Sequence, residues 1–408
     1  MYIDSGFISQ VFTYSYALLK PSVGAFYAEA LSLLAAFIVF AILLGILIVG
    51  FVYLFGWGER KFMARVHSRH GPTYLGKFGI LQNMADVLKL LSKENITPDN
   101  ADKPLYGMVL PLLYAMFVVM LAFIPITGTF VGINATLGLL VVFLLLSFSP
   151  LIMFLAGWTS GNKFASISAQ RSVITMVSYE LPMLFVVVAV AMLAHSYNLI
   201  SIVNAQSGMW FGILMPIGLV VFFAVMLAEL ERPPFDLREA DNELIAGWLT
   251  DVSAPYYGLA LFLDYTRMFV GSLLISLLFL GGWLGPVLPA AFWMILKVVL
   301  VTIFVIVLRT SMLRMRLDRV IRTGWLYLLP LSLLNVLITF VVFVKLVYAP
   351  VVVGYGLPVL GILKRARATR KRLDRTPYRF YEYHSIIHTC LANFICYLPS
   401  FSTKYTIT

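Results

Sequence analysis

The sequence predicts an all-α fold, a polytopic membrane helical bundle with eight transmembrane helices, and three observations carry that prediction. Of the 408 residues, 61% are hydrophobic and only 12% charged, with a mean hydropathy of +0.92, far from soluble globular composition. Spanning ~30 Å of hydrocarbon takes roughly 20 apolar residues at ~1.5 Å each, and eight stretches are long enough. Each is a continuous apolar run, where a membrane β-barrel would show short alternating segments.

The eight stretches lie near 30–57, 105–124, 133–157, 173–194, 208–230, 257–284, 287–308 and 325–348. The first is nearly thirty residues long with no small-residue cleavage site behind it, so it reads as a retained span, with 1–29 as an external N-terminal segment. The membrane domain is placed at 30–348 and a short apolar segment with a basic tail at 349–408.

The first connection holds Glu59 beside Arg60, Lys61, Arg65 and Arg69. From Lys77 to Lys93, Phe78, Leu81, Met84, Ala85, Leu88 and Leu91 recur at helical spacing, which predicts an amphipathic helix on the membrane interface or packed on a soluble partner. The connection at 158–172 leads to Glu180, roughly 10 Å into the fourth span. A carboxylate at that depth is expected to face the bundle interior or a water-filled cavity, or else to be a structural acid.

The fifth span ends in the most unusual segment of the chain, residues 229–248, ELERPPFDLREADNELIAGW. It packs six acids, Glu229, Glu231, Asp236, Glu239, Asp241 and Glu243, against two arginines, in a chain whose formal net charge is +11. Pro233 and Pro234 must break the helix, because they lack backbone donors and restrict the residue before them. Beyond them, Glu239 and Glu243 are expected on one helical face, with Asp236 three residues before Glu239. Clustered acids repel one another and can exchange protons near neutral pH; the alternative is a solvated loop or docking face.

In the sixth span, Asp264 and Arg267 are spaced to satisfy each other at i,i+3. Lys297 lies in the middle of the seventh. The last connection alternates basic and apolar residues, with Arg309, Arg314, Arg316, Arg319 and Arg322 around Asp318, able to meet the acidic segment or another protein of a complex.

Lys and Arg number 8 in 58–104, 2 in 158–172, 3 in 231–267 and 5 in 309–322, against Lys20 on the opposite side. Basic residues resist translocation, so these connections face the cytoplasm (or matrix) and the N-terminus faces out. The eight basic residues in 364–379 would then lie outside unless the short stretch 350–363 makes a ninth crossing. That basic tail suits anionic lipid headgroups. Cys390 and Cys396 lack a partner cluster, and His384 and His388 with Cys390 make a metal site only superficially. Neither iron–sulfur ligation nor nucleic-acid binding is expected.

Five loop patterns carry a resemblance: ERKFMARVHSRHGP, GILQNMADVLKLLSKE, GWTSGNKFA with SYE, ERPPFDLREADNELIAG, and RMRLDRVIRTGWLYLLPLSLLN. Between about 55 and 348 the chain resembles the quinone-site membrane subunit of respiratory complex I, the NADH-quinone oxidoreductase of prokaryotes and mitochondria. The resemblance implies a component of a proton-translocating NADH (or other donor):quinone oxidoreductase that forms the quinone entrance and chamber and couples quinone reduction to proton movement. Quinone is then the substrate, no cofactor is bound covalently, and iron–sulfur clusters reside only in partner subunits. The implied partners are membrane lipid, peripheral iron–sulfur subunits and antiporter-like membrane subunits, and the implied location is the plasma membrane of a prokaryote or the mitochondrial inner membrane.

By the same resemblance, Arg60, Arg65, Arg69, Phe235 and Asp236 belong to the quinone chamber. Glu59, Glu180, Glu229, Glu231, Glu239, Asp241, Glu243 and Asp264 belong to the proton-coupling path. Four departures mark this chain: Arg238 where proline is common, Asp241 and Asp264 where glutamate is usual, and DVSAP at 251–255. The other readings are the equivalent component of a membrane-bound hydrogenase or of a ferredoxin- or cofactor-linked complex, and an autonomous ion transporter. The last would often show an internal repeat, and none is evident.

Overall fold

In a computed structural model, residues 8, 10–16, 25–238 and 241–342 are described. Glu239, the 350–363 stretch, the basic run 364–379, His384, His388, Cys390 and Cys396 lie outside them. Regular structure among the described residues is helical, as the composition predicts. Seven helices there are long and apolar enough to cross a membrane: α1 (Ala25–Val66), α3 (Lys103–Phe123), α4 (Gly138–Thr159), α5 (Lys163–Ala194), α10 (Ala254–Phe279), α11 (Ala290–Ser311) and α12 (Leu317–Val342). Shorter helices lie between them: α2 (Gln82–Ser92), α6 (Leu199–Ala205), α7 (Phe211–Leu214), α8 (Pro216–Glu229) and α9 (Asp241–Leu244).

The structure departs from the predicted spans at the fifth. That stretch is broken into α7 and α8 because Met215 leaves helical geometry (φ −131°, ψ 71°) ahead of Pro216, which then opens α8. The fourth span is longer than its apolar content suggests. The Asn162 side chain accepts a hydrogen bond from the Phe164 N–H at 2.9 Å, so the helix begins at Lys163 and only residues 160–162 link α4 to α5. Likewise α12 starts at Leu317, taking Arg319 and Arg322 into its first turns before a π-helical turn at Thr323–Leu328.

The bundle is built around α10. Of its most apolar window 78% is buried, against 22% for α1 and for α12, whose outer faces point away from the protein. Helix α10 packs on α1, α2, α3, α7, α8 and α11. Helices α4 and α5 approach closely at Gly157, where a Cβ would lie 2.5 Å from the Ala169 Cβ and 2.6 Å from the Ala165 carbonyl. Small residues at crossings let membrane helices approach until their backbones are in van der Waals contact.

The connections rich in Lys and Arg gather at one end of the bundle. There the Asp102 N–H bonds the Thr159 carbonyl, the Ser168 hydroxyl bonds the Arg238 carbonyl, and the Met315 N–H bonds the Pro234 carbonyl. At the other end the 124–137, 195–215 and 280–289 segments meet, for instance through Asn198 to Asn134 at 2.7 Å and at Gly281, where a Cβ would lie 3.0 Å from the Trp210 side chain.

Candidate functional site

Helix α8 ends in a left-handed residue. The Glu231 N–H bonds the Ala228 carbonyl, the Arg232 N–H bonds the Leu227 carbonyl, and Glu231 itself takes φ 49°. This is a Schellman C-terminus with a glutamate where glycine is the usual occupant. An L side chain there costs roughly 1–2 kcal/mol, so something must hold it. The carboxylate is held by two guanidiniums: Arg238 forms an ion pair with it, and Arg267 donates at 3.1 Å.

These pairs extend into a buried network. Arg238 also reaches Asp264 at 3.3 Å, with its guanidinium 5.0 Å from the Trp248 ring centroid. Arg267 lies 3.9 Å from Glu229, which accepts from the Ser149 hydroxyl at 3.1 Å. Close by, Glu59, at 0% exposure, is paired with Arg232 at 3.1 Å and with Arg309. Four carboxylates are thus matched by four guanidiniums. Desolvating such groups costs several kcal/mol each, so their pairing offsets a penalty more than it adds stability.

The segment that looked like a loop on charge alone is therefore folded into the bundle in its first half. Residues 230–238 form turns, so Asp236 stands on no helix; Glu239, and with it the expected Glu239–Glu243 face, lies outside the described residues, and of Asp241 only the backbone, in α9, is described. Gly247 secures the return of the chain, since at φ 59° a Cβ would sit 2.0 Å from the Arg238 carbonyl. Glu243 remains exposed on the rim and pairs with Arg171. The hydrogen bond and positive charge of Arg171 hold the Glu243 carboxyl below its usual range.

Two cavities meet at this network. A polar one of about 220 Å³ is lined by Glu231, Arg232, Asp236, Arg238, Asp264 and Arg309, with Leu261 and Tyr265 in its wall. An apolar cleft of about 520 Å³ lies between α1, α2 and α10, lined among others by Val49, Val52, Met84, Leu88 and Phe262. Leu261 and Tyr265 belong to both linings, so the two share a wall. The floor of the cleft is α2, the predicted amphipathic helix, whose Leu81, Met84, Leu88 and Leu91 are all exposed.

The other predicted site residues scatter. Arg60 reaches Asp86 at 2.7 Å and Asn83 at 2.9 Å, fastening α1 to α2. Burial raises the Asp86 carboxyl, but the hydrogen bonds from Arg60 and Gln82 with the charges of Arg60 and Lys89 together outweigh it, and the net shift is downward. Arg69 lines a separate cavity of about 530 Å³ with Arg60, His70 and Gln82, and Arg65 is exposed. Phe235 is buried edge-on to Tyr179 at 5.2 Å and is not among the residues lining the polar cavity. Glu180 is half-buried in α5, near enough for its charge to act on Glu229.

One sequence expectation is corrected. Asp264 and Arg267 do not satisfy each other locally; they turn to Arg238 and Glu231, respectively. Lys297 lies at the opposite end from the network, donating to the carbonyls of Leu280, Gly282 and Leu284 at 2.7–2.8 Å beneath the Trp210 ring. Sequence reasoning missed Ser149, Leu261, Tyr265 and Trp248, which carry no charge to draw notice. Arg309 was read only as part of a basic connection.

Known proteins share this sequence pattern over most of its length. The family described as NADH dehydrogenase matches residues 38–340. The H subunit of NADH-quinone oxidoreductase from Dehalococcoides mccartyi (strain CBDB1) is 39% identical over 298 residues, covering 73% of this chain and 84% of that protein. The H subunit of F(420)H(2) dehydrogenase from Methanosarcina mazei is 38% identical over 315 residues, covering 71% and 90%. The H subunit of NADH-quinone oxidoreductase from Bacillus cereus (strain AH187) is 38% identical over 305 residues, covering 73% and 91%.

Proposed function

This chain belongs to the NADH dehydrogenase family, as a membrane subunit of complex I-like oxidoreductases, and from that premise we propose that its apolar cleft admits a quinone from the bilayer to the buried charge network. The observation that carries the reading is the wall of Leu261 and Tyr265 common to the cleft and the polar chamber. A quinone is an apolar tail with a polar head, and the two cavities match those halves in order.

Reduction of a quinone to a quinol takes two electrons and two protons. The electrons come from iron–sulfur clusters of partner subunits; this chain supplies the pocket and the proton-responsive groups. Negative charge arriving at the headgroup would be felt first by the chamber lining, Glu231, Asp236 and Asp264 with their arginines. From there Glu229, hydrogen-bonded to Ser149 and within electrostatic reach of Glu180, leads into the bundle. In this reading Arg60 anchors the floor of the cleft, and Arg65, Arg69 and Glu243 belong to the rim facing the peripheral arm. Antiporter-like subunits of the same complex receive the coupled change.

The relatives named for NADH and for F(420)H(2) match this chain at similar identity, so the donor is assigned to partner subunits. Coming from bacteria and archaea, they support the plasma membrane of a prokaryote as the location. The test is Leu261→Trp, which fills the shared wall. The KM for a quinone should rise at least about tenfold, the equivalent of ~1.4 kcal/mol, while donor oxidation by an artificial acceptor is retained. An unchanged KM would remove the cleft as the quinone's route.

A further inference from the structure

We propose that Arg238 is the shared counter-ion of Glu231 and Asp264, a fixed positive charge without which one of the two carboxylates would hold a proton. The inference rests on the chamber being the proton-responsive site, and makes Arg238 a positioning residue within it. Glu231 comes from the end of α8 and Asp264 from α10, and the Arg238 guanidinium is what joins them. Glu231 has a second guanidinium in Arg267, whereas among the described residues the ion pair of Asp264 is to Arg238.

The arginine is built in. It is 3% exposed, packed by Trp248 on its face and by the Met153 sulfur at 3.4 Å. Its backbone is fixed by Ser168 at 2.8 Å and by the close approach of Gly247. The charged and titratable groups that line the polar cavity with Arg238, Glu231 and Asp264 are Arg232 and Asp236 from its own segment, Tyr257 and Tyr265 from α10, and Arg309 from α11, while Arg267 of α10 shares Glu231 with it. Two carboxylates that share one guanidinium in a largely buried, polar-lined site are held charged by that cation; the alternative occupant is a proton. With Arg238 present that proton has no place, and proton uptake is directed to other acids of the chamber.

The experiment uses the purified whole complex without substrate and reads protonated carboxyl groups by infrared difference spectroscopy as the pH is stepped. Arg238→Met should gain one protonated carboxyl in the neutral range over the wild type. Arg238→Lys should not, and adding Asp264→Asn to Arg238→Met should remove the gain. An Arg238→Met spectrum identical to that of the wild type would overturn the assignment. Should Arg238→Met fail to assemble, assembly restored in the Arg238→Met/Asp264→Asn double variant supports the proposal. Equal failure of both overturns it, because Arg238 would then serve packing on Trp248. The pH profile of quinone reduction, measured in parallel, separates the two readings. A carboxyl gained with no change in that profile keeps the counter-ion and rejects the quinone chamber.

Discussion

Glu59, at the end of α1, and Arg309, at the end of α11, form an ion pair inside the protein across 250 residues of sequence. With Arg232 as its second cation, Glu59 closes the side of the network nearest the first span. Glu59→Gln keeps the shape and removes the charge that Arg232 and Arg309 share. Breaking a buried pair by removing one partner costs ~3–5 kcal/mol. A drop in the thermal unfolding midpoint of the detergent-purified protein should follow, with a smaller one for Arg309→Gln, because Glu59 then still has Arg232.

Glu231 sets a backbone preference against a charge. Glu231→Gly would relieve the left-handed conformation by about 1–2 kcal/mol, but it removes the carboxylate that Arg238 and Arg267 share, and breaking a buried pair costs ~3–5 kcal/mol. The charge effect wins, so the variant should be less stable despite its easier backbone. Glu231→Gln, which keeps the side chain's volume, should lower coupled quinone reduction and leave artificial-acceptor activity intact. Quinone reduction and pumping at wild-type rates in that variant would remove Glu231 from the coupling path.

The bundle was legible because a membrane span announces itself by composition over twenty residues, and the gathering of the basic connections at one end because charge is counted loop by loop. The break at Met215 was not, since hydropathy averages over a whole span and a single proline, Pro216, scarcely lowers it. The acids stood out for the same compositional reason, yet their partners did not. Spacing offered Arg267 to Asp264, whereas the true partners lie 26 and 36 residues away, because that side of α10 faces the returning acidic segment. Nor could spacing show Glu231 in a glycine's conformation, which only its two arginines explain.

On the aqueous rim, Arg171 and Glu243 give a pH dependence of known sign. The Glu243 carboxyl is lowered from an ordinary value of 4.5 by its Arg171 hydrogen bond. A depressed folded value means stabilisation fully present above 4.5 and lost as the pH falls through the lowered value. Hydrogen exchange of residues 243–248 should therefore quicken on acidification through that range, and Arg171→Gln should abolish the dependence. Identical pH profiles in the two proteins would show the pair to be idle.

Lys297 is expected to behave as a clamp. Its three carbonyl bonds tie α11 to the turn after α10, at the end away from the network. Lys297→Met should cost about 1.5–3 kcal/mol, the range for a hydrogen bond to a charged group, while the KM for quinone stays put. A changed KM or lost pumping with unchanged stability would restore a functional role to this lysine.

The apolar stripe of α2 makes the last prediction. Leu81, Met84, Leu88 and Leu91 fall on one side of a short helix and all are more than 40% exposed. Burying a leucine-sized side chain contributes ~1.5–3 kcal/mol, so the stripe is costly in water and favourable in lipid. Met84 and Leu88 also line the cleft, which ties membrane contact to quinone access. Met84→Gln with Leu88→Gln should raise the KM for long-tailed quinones more than for short-tailed ones, because the tail loses apolar wall while the polar chamber is untouched. Since both acceptors use the same chamber and the same donor, an equal rise for both would mean a disturbed chamber, and no rise would mean that the stripe serves only to seat α2.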